Sequence, residues 1–325
     1  MIITITMNPS VDLIYLADTF KLGQLNRTKT PAINIGGKGI NAGRSAALSG
    51  ADVTLTGFIG GKIGNLTKSF LEDEKLFNLQ MSEVKGETRH AVTIMHDGGV
   101  HTEIVEEGPK LEDSDIELLL ENVVNISLNN SVSAICICGS ANHADNFLFP
   151  KMIQYLRNSL GTEIPILVDI SGEKLIRLLG GSAVKPDFIK PNEHELGDFI
   201  KKSITNKKEA FEALHHSSFE GIKYTVASLG EQGAVCRIQD TYYDVSIPKI
   251  EIKSTTGSGD ATVGGFAYAL EQKFDIEQTL KYAMACGMSN AQLDESGKIC
   301  RKDVLELTKL ISVKVIEEEQ QSQSQ

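Results

Sequence analysis

The chain has 325 residues, with 32 Lys and Arg against 43 Asp and Glu for a net charge of −11, and 41% of the residues are hydrophobic. A chain of this length hides roughly 75% of its extended surface on folding, so a large core is expected and extensive disorder is excluded. The acidic balance and the lack of any Lys/Arg-rich block exclude a protein that wraps nucleic acid or clings to anionic lipid, since both need a contiguous basic face.

In chain order, residues 2–6 read as a strand, residues 12–29 as a polar extended stretch and residues 32–35 as an apolar run. A helix is expected over 40–49, a strand over 53–58 and a helix over 63–77. Residues 91–95 and 101–105 flank the turn Asp97-Gly98-Gly99, a hairpin signal. Helical patterns at 116–124 and 147–160 enclose a strand at 134–138, and strands at 166–169, 188–190 and 223–227 surround a helix at 207–216. Two helices follow, at 261–272 and 276–292. Such alternation, with continuous apolar strands, indicates a mostly parallel α/β sheet covered on both faces. The stretches at 12–29 and 89–106 read as a small β lid over it, because a few strands alone bury too little to stand as a domain. The main domain is expected over 1–314, and the acidic, Gln/Ser-rich residues 315–325 form a tail whose composition cannot drive packing.

No Lys or Arg precedes Lys21, so the charged region of a secretion leader is missing, and the uncharged stretch 122–141 carries too many Asn and Ser for hydrocarbon. Five cysteines without a C-x-x-C fit a reducing compartment, so a cytoplasmic protein is expected. Cys136 and Cys138 would share one strand face, as buried packing or, less simply, as a thiol pair.

Three local features bear chemistry. Gly257-Ser258-Gly259-Asp260 opens a small-residue helix, so unpaired backbone N–H groups and the positive helix end point at one spot where an anion can sit. Asp260 in that first turn is either a plain helix cap or a base that takes a proton from a hydroxyl attacking a phosphoryl group. Gly36-Gly37-Lys38-Gly39-Ile40-Asn41 leads into a second helix and provides close backbone approach, one cation and one amide, which suits a small polyol bearing a phosphate. It formally meets the dinucleotide fingerprint, but it does not follow a first βαβ strand and lacks the acid at the end of the next one. Lys190-Pro191-Asn192-Glu193-His194-Glu195 ends an apolar strand; Asn192 and Glu195 would either hold waters of a Mg²⁺ or form a capping box. Asp12 is placed to meet sugar hydroxyls or to stabilise a turn, and Arg27 and Arg89 to fork a phosphate or to stand as exposed cations.

Together these features resemble the ribokinase-like (PfkB) carbohydrate kinases, and the likeness spans nearly the whole chain from Asn8-Pro9-Ser10-Val11-Asp12 to the helix after Gly257. The Lys of Gly37-Lys38-Gly39 resembles the subgroup acting on phosphorylated ketohexoses, the tagatose-6-phosphate kinases and 1-phosphofructokinases, and Asp260-Ala261-Thr262-Val263 looks more like the former. The resemblance implies a three-layer α/β/α fold with a β lid, a homodimer paired through that lid, and ATP with Mg²⁺. It implies Asp260 as catalytic base with the amides of Gly257, Ser258 and Gly259 as anion hole. Asp12, Gly37 and Asn41 would hold sugar hydroxyls, and Lys38, Arg89 and Arg27 the sugar phosphate. Lys190, Asn192 and Glu195 match the nucleotide and Mg²⁺ motif, and Ser228, Gly230 and Gly233 the nucleotide loop.

Overall fold

The structure, a computed structural model, describes residues 1–181 and 183–317. The chain begins with β1 (Ile2–Thr6), β2 (Ser10–Leu16), β3 (Ala32–Gly36), α1 (Lys38–Ser49), β4 (Val53–Ile59), α2 (Gly61–Glu74), β5 (Asn78–Glu83), β6 (Arg89–His96) and β7 (Val100–Val105). It continues through α3 (Asp113–Asn129), β8 (Ala134–Cys138), α4 (Leu148–Leu160), β9 (Ile166–Asp169), α5 (Gly172–Gly181), β10 (Phe188–Ile189), α6 (Glu193–Ile200) and α7 (Lys207–Ala213). The last part holds β11 (Tyr224–Ser228), β12 (Ala234–Ile238), β13 (Thr241–Ser246), α8 (Ser258–Glu271), α9 (Ile276–Ala291), α10 (Arg301–Leu310) and β14 (Ser312–Val315).

The main sheet has ten strands in the order β14-β13-β12-β11-β10-β9-β8-β1-β4-β5. From β11 to β5 the pairings are parallel, while β12, β13 and β14 extend that edge antiparallel. Successive side chains of a strand serve opposite faces. Ile3 and Ile5 of β1 join a core with α3, α4 and α5, whereas Ile2 joins a second core with α1, α8, α9 and α10. Cys136 and Cys138 lie in that second core, both fully buried, as packing residues. Burial raises both thiols above their ordinary value, which keeps them protonated.

Helix α1 lies close on β1. A Cβ at Gly39 would fall 2.2 Å from the Thr6 hydroxyl, and one at Gly43 2.7 Å from that of Thr4. The other flank of α1 meets α8, where a Cβ at Gly264 would fall 2.1 Å from the Ala42 carbonyl oxygen. Glycine at these points lets two helix N-termini rest side by side over the C-terminal ends of the parallel strands, the place where open α/β sheets bind ligands.

The second sheet has the order β3-β2-β6-β7. Asp97 and Gly98 at its hairpin tip both have positive φ, 46° and 72°, as the turn residues require. The lid stretch expected at 12–29 differs in detail: strand pairing ends at Leu16, and the third strand comes from the apolar run that becomes β3. β14 closes the main sheet as far as Val315, one residue past the expected boundary at 314, and residues 318–325 of the expected tail lie outside the described residues. No helix among the described residues is long and apolar enough to cross a membrane.

Candidate active site

The two glycine turns meet. Asn41, in the first turn of α1, donates from Nδ2 to Asp260 Oδ2 at 2.8 Å, and both side chains are buried. Asp260 lies in the first turn of α8, whose N-cap Gly257 has a left-handed backbone, with φ of 82°. The Ser258 N–H turns to the Thr255 carbonyl at 3.2 Å, and its hydroxyl turns away to Asn290 Oδ1 at 3.3 Å. The amides of Gly257, Gly259 and Asp260 meet no protein acceptor among the described residues. Of the three amides expected to form an anion hole, that of Ser258 is thus engaged within the protein, while those of Gly257 and Gly259 remain open beside that of Asp260. Lys190 reaches the same spot from the end of β10: its Nζ would stand 2.9 Å from a Cβ at Gly259.

Lys38, at the start of α1, pairs with Asp169 at 3.3 Å. Asp169 is 2% exposed and ends β9, a site the sequence reading passed over although an acid closing a buried strand was the available signal. Burial disfavours the Lys38 charge, but Asp169, Asp260 and Glu195 outweigh it and hold the amine above its ordinary value. Asp260 is pushed up to about 6, first by burial and then by the Asp169 charge, against the pull of Lys38, Asn41 and Lys190. A carboxylate poised there is ionised at neutral pH yet basic enough to accept a proton.

Asp12 lies on β2 and accepts from the Ser10 hydroxyl at 2.6 Å. A Cβ at Gly36 would fall 2.1 Å from Asp12 Oδ2, so any side chain there would displace that carboxylate. Burial raises Asp12, while Ser10, Arg89 and Arg44 counter it. Arg89 pairs in register with Ser10, and its Nε donates to the Asn8 carbonyl at 3.3 Å. Asp12, Asn34 and Arg89 belong to one face of the small sheet by strand alternation and register. Arg27 is not brought to this cluster: it lines a separate cavity of about 540 Å³ with Leu16, Lys29 and His96.

Asn192 caps α6. Its Oδ1 accepts from the His194 and Glu195 N–H groups, and Glu195 Oε2 accepts from the Asn192 N–H at 3.0 Å, a complete capping box. Next to it Ser228 bridges to Asn192, with its N–H donating to the Pro191 carbonyl at 3.0 Å. Gly230 and Gly233 follow with φ of 54° and 91°, and a Cβ at Gly233 would fall 2.1 Å from the Val245 carbonyl oxygen. The loop therefore runs close along β13 with its turn at Gly230 open.

For a divalent cation, Glu195 has one carboxylate oxygen outside the box, and no group of three or more His, Cys, Asp or Glu among the described residues is arranged as a protein-only metal site. That donor set fits a cation held mostly by waters and phosphates.

Comparison with known proteins gives the same assignment. The profile of the pfkB family carbohydrate kinases matches residues 2–299. A tagatose-6-phosphate kinase from Staphylococcus epidermidis is 35% identical over 314 residues, covering 96% of this chain and 99% of that one. The tetrameric inhibited form of phosphofructokinase-2 from Escherichia coli superposes with a TM-score of 0.83 at 26% identity, covering 95% of this chain and 98% of that one. A "possible 1-phosphofructokinase" from Thermotoga maritima shares the fold with a TM-score of 0.83 at 21% identity, covering 98% and 100%. The chain belongs to the pfkB family of carbohydrate kinases and is an ATP-dependent sugar-phosphate kinase.

Proposed function

We propose that the protein phosphorylates tagatose 6-phosphate at O1, giving tagatose 1,6-bisphosphate and ADP. The observation that carries this reading is the 2.8 Å contact of Asn41 with Asp260, which joins the sugar-binding turn to the phosphoryl-transfer turn. The substrate class is supported by Lys38 beside that contact and by the 35% identical Staphylococcus epidermidis relative.

Asp12, Gly37 and Asn41 hold the ring hydroxyls, and Lys38 with Arg89 anchors the phosphate at C6. Arg27, expected beside them, lines the separate cavity instead and stands apart from this anchor. The C1 hydroxyl then stands against Asp260. As its oxygen bonds to the γ-phosphorus of ATP, the proton passes to the carboxylate and the β–γ bridging oxygen leaves with ADP. The amides of Gly257, Gly259 and Asp260, with the Lys190 ammonium, meet the charge that spreads over the transferring group. Ser228, Gly230 and Gly233 shape the nucleotide loop. Glu195, fixed by Asn192 through the cap, would hold a water of a bound Mg²⁺ with its free oxygen, and the cation would supply neutralising charge for the nucleotide phosphates.

The lid pairs two protomers. Its face opposite Asp12 carries Val92 and Ile94, with Ile33 40% and Ile104 58% exposed at its rim, apolar surface that a second copy would cover. Free ATP and sugar phosphates place the reaction in the cytoplasm.

The test is ADP release with tagatose 6-phosphate, fructose 1-phosphate and fructose 6-phosphate side by side. The highest kcat/KM is expected with tagatose 6-phosphate. A preference for fructose 1-phosphate would make the enzyme a 1-phosphofructokinase, and no turnover of any phosphorylated ketohexose would remove the substrate class.

A further inference from the structure

Arg44 lies three residues beyond the motif at 36–41, and it touches neither turn's anion site. It stands one helical turn after Asn41 on α1, and its side chain is 4% exposed. A guanidinium carries five N–H donors and no acceptor, and here all of them are taken. Nε and Nη2 grip Glu74 of α2 with two bonds of 2.7 Å. Nη1 donates to Asn41 Oδ1 at 3.0 Å and to the Ser296 carbonyl at 2.9 Å, and Nη2 donates to the Ile35 carbonyl at 3.2 Å.

A side-chain amide has two orientations, and only its neighbours decide between them. Because Arg44 can only donate, Asn41 must turn Oδ1 toward it, which turns Nδ2 toward Asp260. The flipped amide would set two acceptors against each other on the Asp260 side and two donors on the Arg44 side. With Oδ2 held by Asn41, Asp260 keeps Oδ1, which no protein donor engages among the described residues. The same guanidinium fastens the Ser296-Gly297 turn, where a Cβ at Gly297 would fall 2.5 Å from the Asn41 Cα. Gly257 in turn rests on Gly297, since its Cβ would lie 2.8 Å from the Gly297 nitrogen.

We propose that Arg44, clamped by Glu74, is a positioning residue: it fixes the amide of Asn41 as donor and so presents Asp260 Oδ1 to the sugar hydroxyl. The inference rests on the reading of Asp260 as base. A buried ion pair is poor evidence of a stabilising role, since such pairs are often replaceable by apolar groups without loss. What this pair provides is orientation.

The experiment compares Arg44→Lys and Glu74→Gln with the wild type, each also in an Asp260→Asn background, with melting curves to record folding. Lysine keeps the charge but not the planar fork. Expected is a kcat loss of roughly tenfold to a hundredfold in either single variant. The acid limb of kcat/KM should move to higher pH, because the Asn41 donor favours the ionised form of Asp260; the other charged groups facing that carboxylate, Asp169, Lys38 and Lys190, stay in place. In the Asp260→Asn background the second substitution should cost nothing further in residual turnover. An unchanged kcat and pH limb, or an equal fractional loss in both backgrounds, overturns the proposal and leaves Arg44 a packing residue. If Arg44→Lys does not fold, Glu74→Gln carries the same comparison. A fully active Asp260→Asn overturns the base assignment and this inference together, so the two failures are distinct.

Discussion

Replacing Asp260 by Asn separates what this carboxylate does for catalysis from what it costs the fold. Burial and Asp169 push Asp260 up to about 6 from the ordinary 3.8, so the folded protein binds its proton more tightly than the unfolded chain. The ionised form therefore destabilises the fold. That cost is absent below the unfolded value of 3.8, grows as pH rises toward about 6, and is constant above it. At 1.36 kcal/mol for each pKa unit the gap amounts to about 3 kcal/mol. Asn has the shape of the protonated acid and still meets Asn41, so the variant is expected to melt several degrees above the wild type at pH 8 and to converge with it near pH 4. Its kcat should fall by roughly 10²–10⁴ with the loss of the general base. Differential scanning calorimetry across pH, with ADP release on the same samples, reads both. A variant as active as the wild type would refute the base, and one no more stable at pH 8 would refute the burial argument.

For the wild type, kcat/KM should decline on the acid side with an apparent pKa near the value of about 6 held by Asp260, and a flat profile down to pH 5 would contradict that assignment. Lys38→Ala removes both the counter-charge of Asp169 and the proposed phosphate anchor; KM for phosphorylated ketohexoses should rise roughly tenfold or more while unphosphorylated sugars are little affected, as steady-state assays would reveal. Gly264→Ala drives a methyl toward the Ala42 carbonyl, and the resulting shift between α1 and α8 should cost about 1–3 kcal/mol in a denaturant titration and reduce turnover. Ile104→Glu, on the exposed apolar lid face, should convert the proposed lid dimer to monomers in sedimentation velocity; an unchanged mass would refute pairing through the lid.

Parallel strands covered on both faces announce themselves as short apolar runs, so residues 134–138 and 166–169 were legible as β8 and β9. β5, with the sequence NLQMSE, was not, because an edge strand half open to solvent has no apolar run to show. The hairpin of β12 and β13 escaped for a related reason: its turn is made by Gln239, in the left-handed region at φ of 54°, and Asp240, without a glycine to mark it. Helix α6 spans only eight residues, too short for a periodic stripe, yet its Asn192 and Glu195 capping box was visible at the right place. The same box explains why the sequence left two meanings open, since cap and metal partner use the same residue types.

Sequence alone determined the alternation of strands and helices, the two glycine turns and the chemical identity of Lys38, Asn41 and Asp260. Each of these is a local property, written in neighbouring residues. The tertiary structure alone decided which groups meet: Asn41 with Asp260 across 219 residues, Lys38 with Asp169 across 131, and Arg44 with Glu74 across 30. The reason is the packing of α1 between β1 and α8. Glycines at positions 39, 43 and 264 admit both contacts, and that approach turns two separate helix starts into one buried site where charge, burial and a fixed amide act on a single carboxylate.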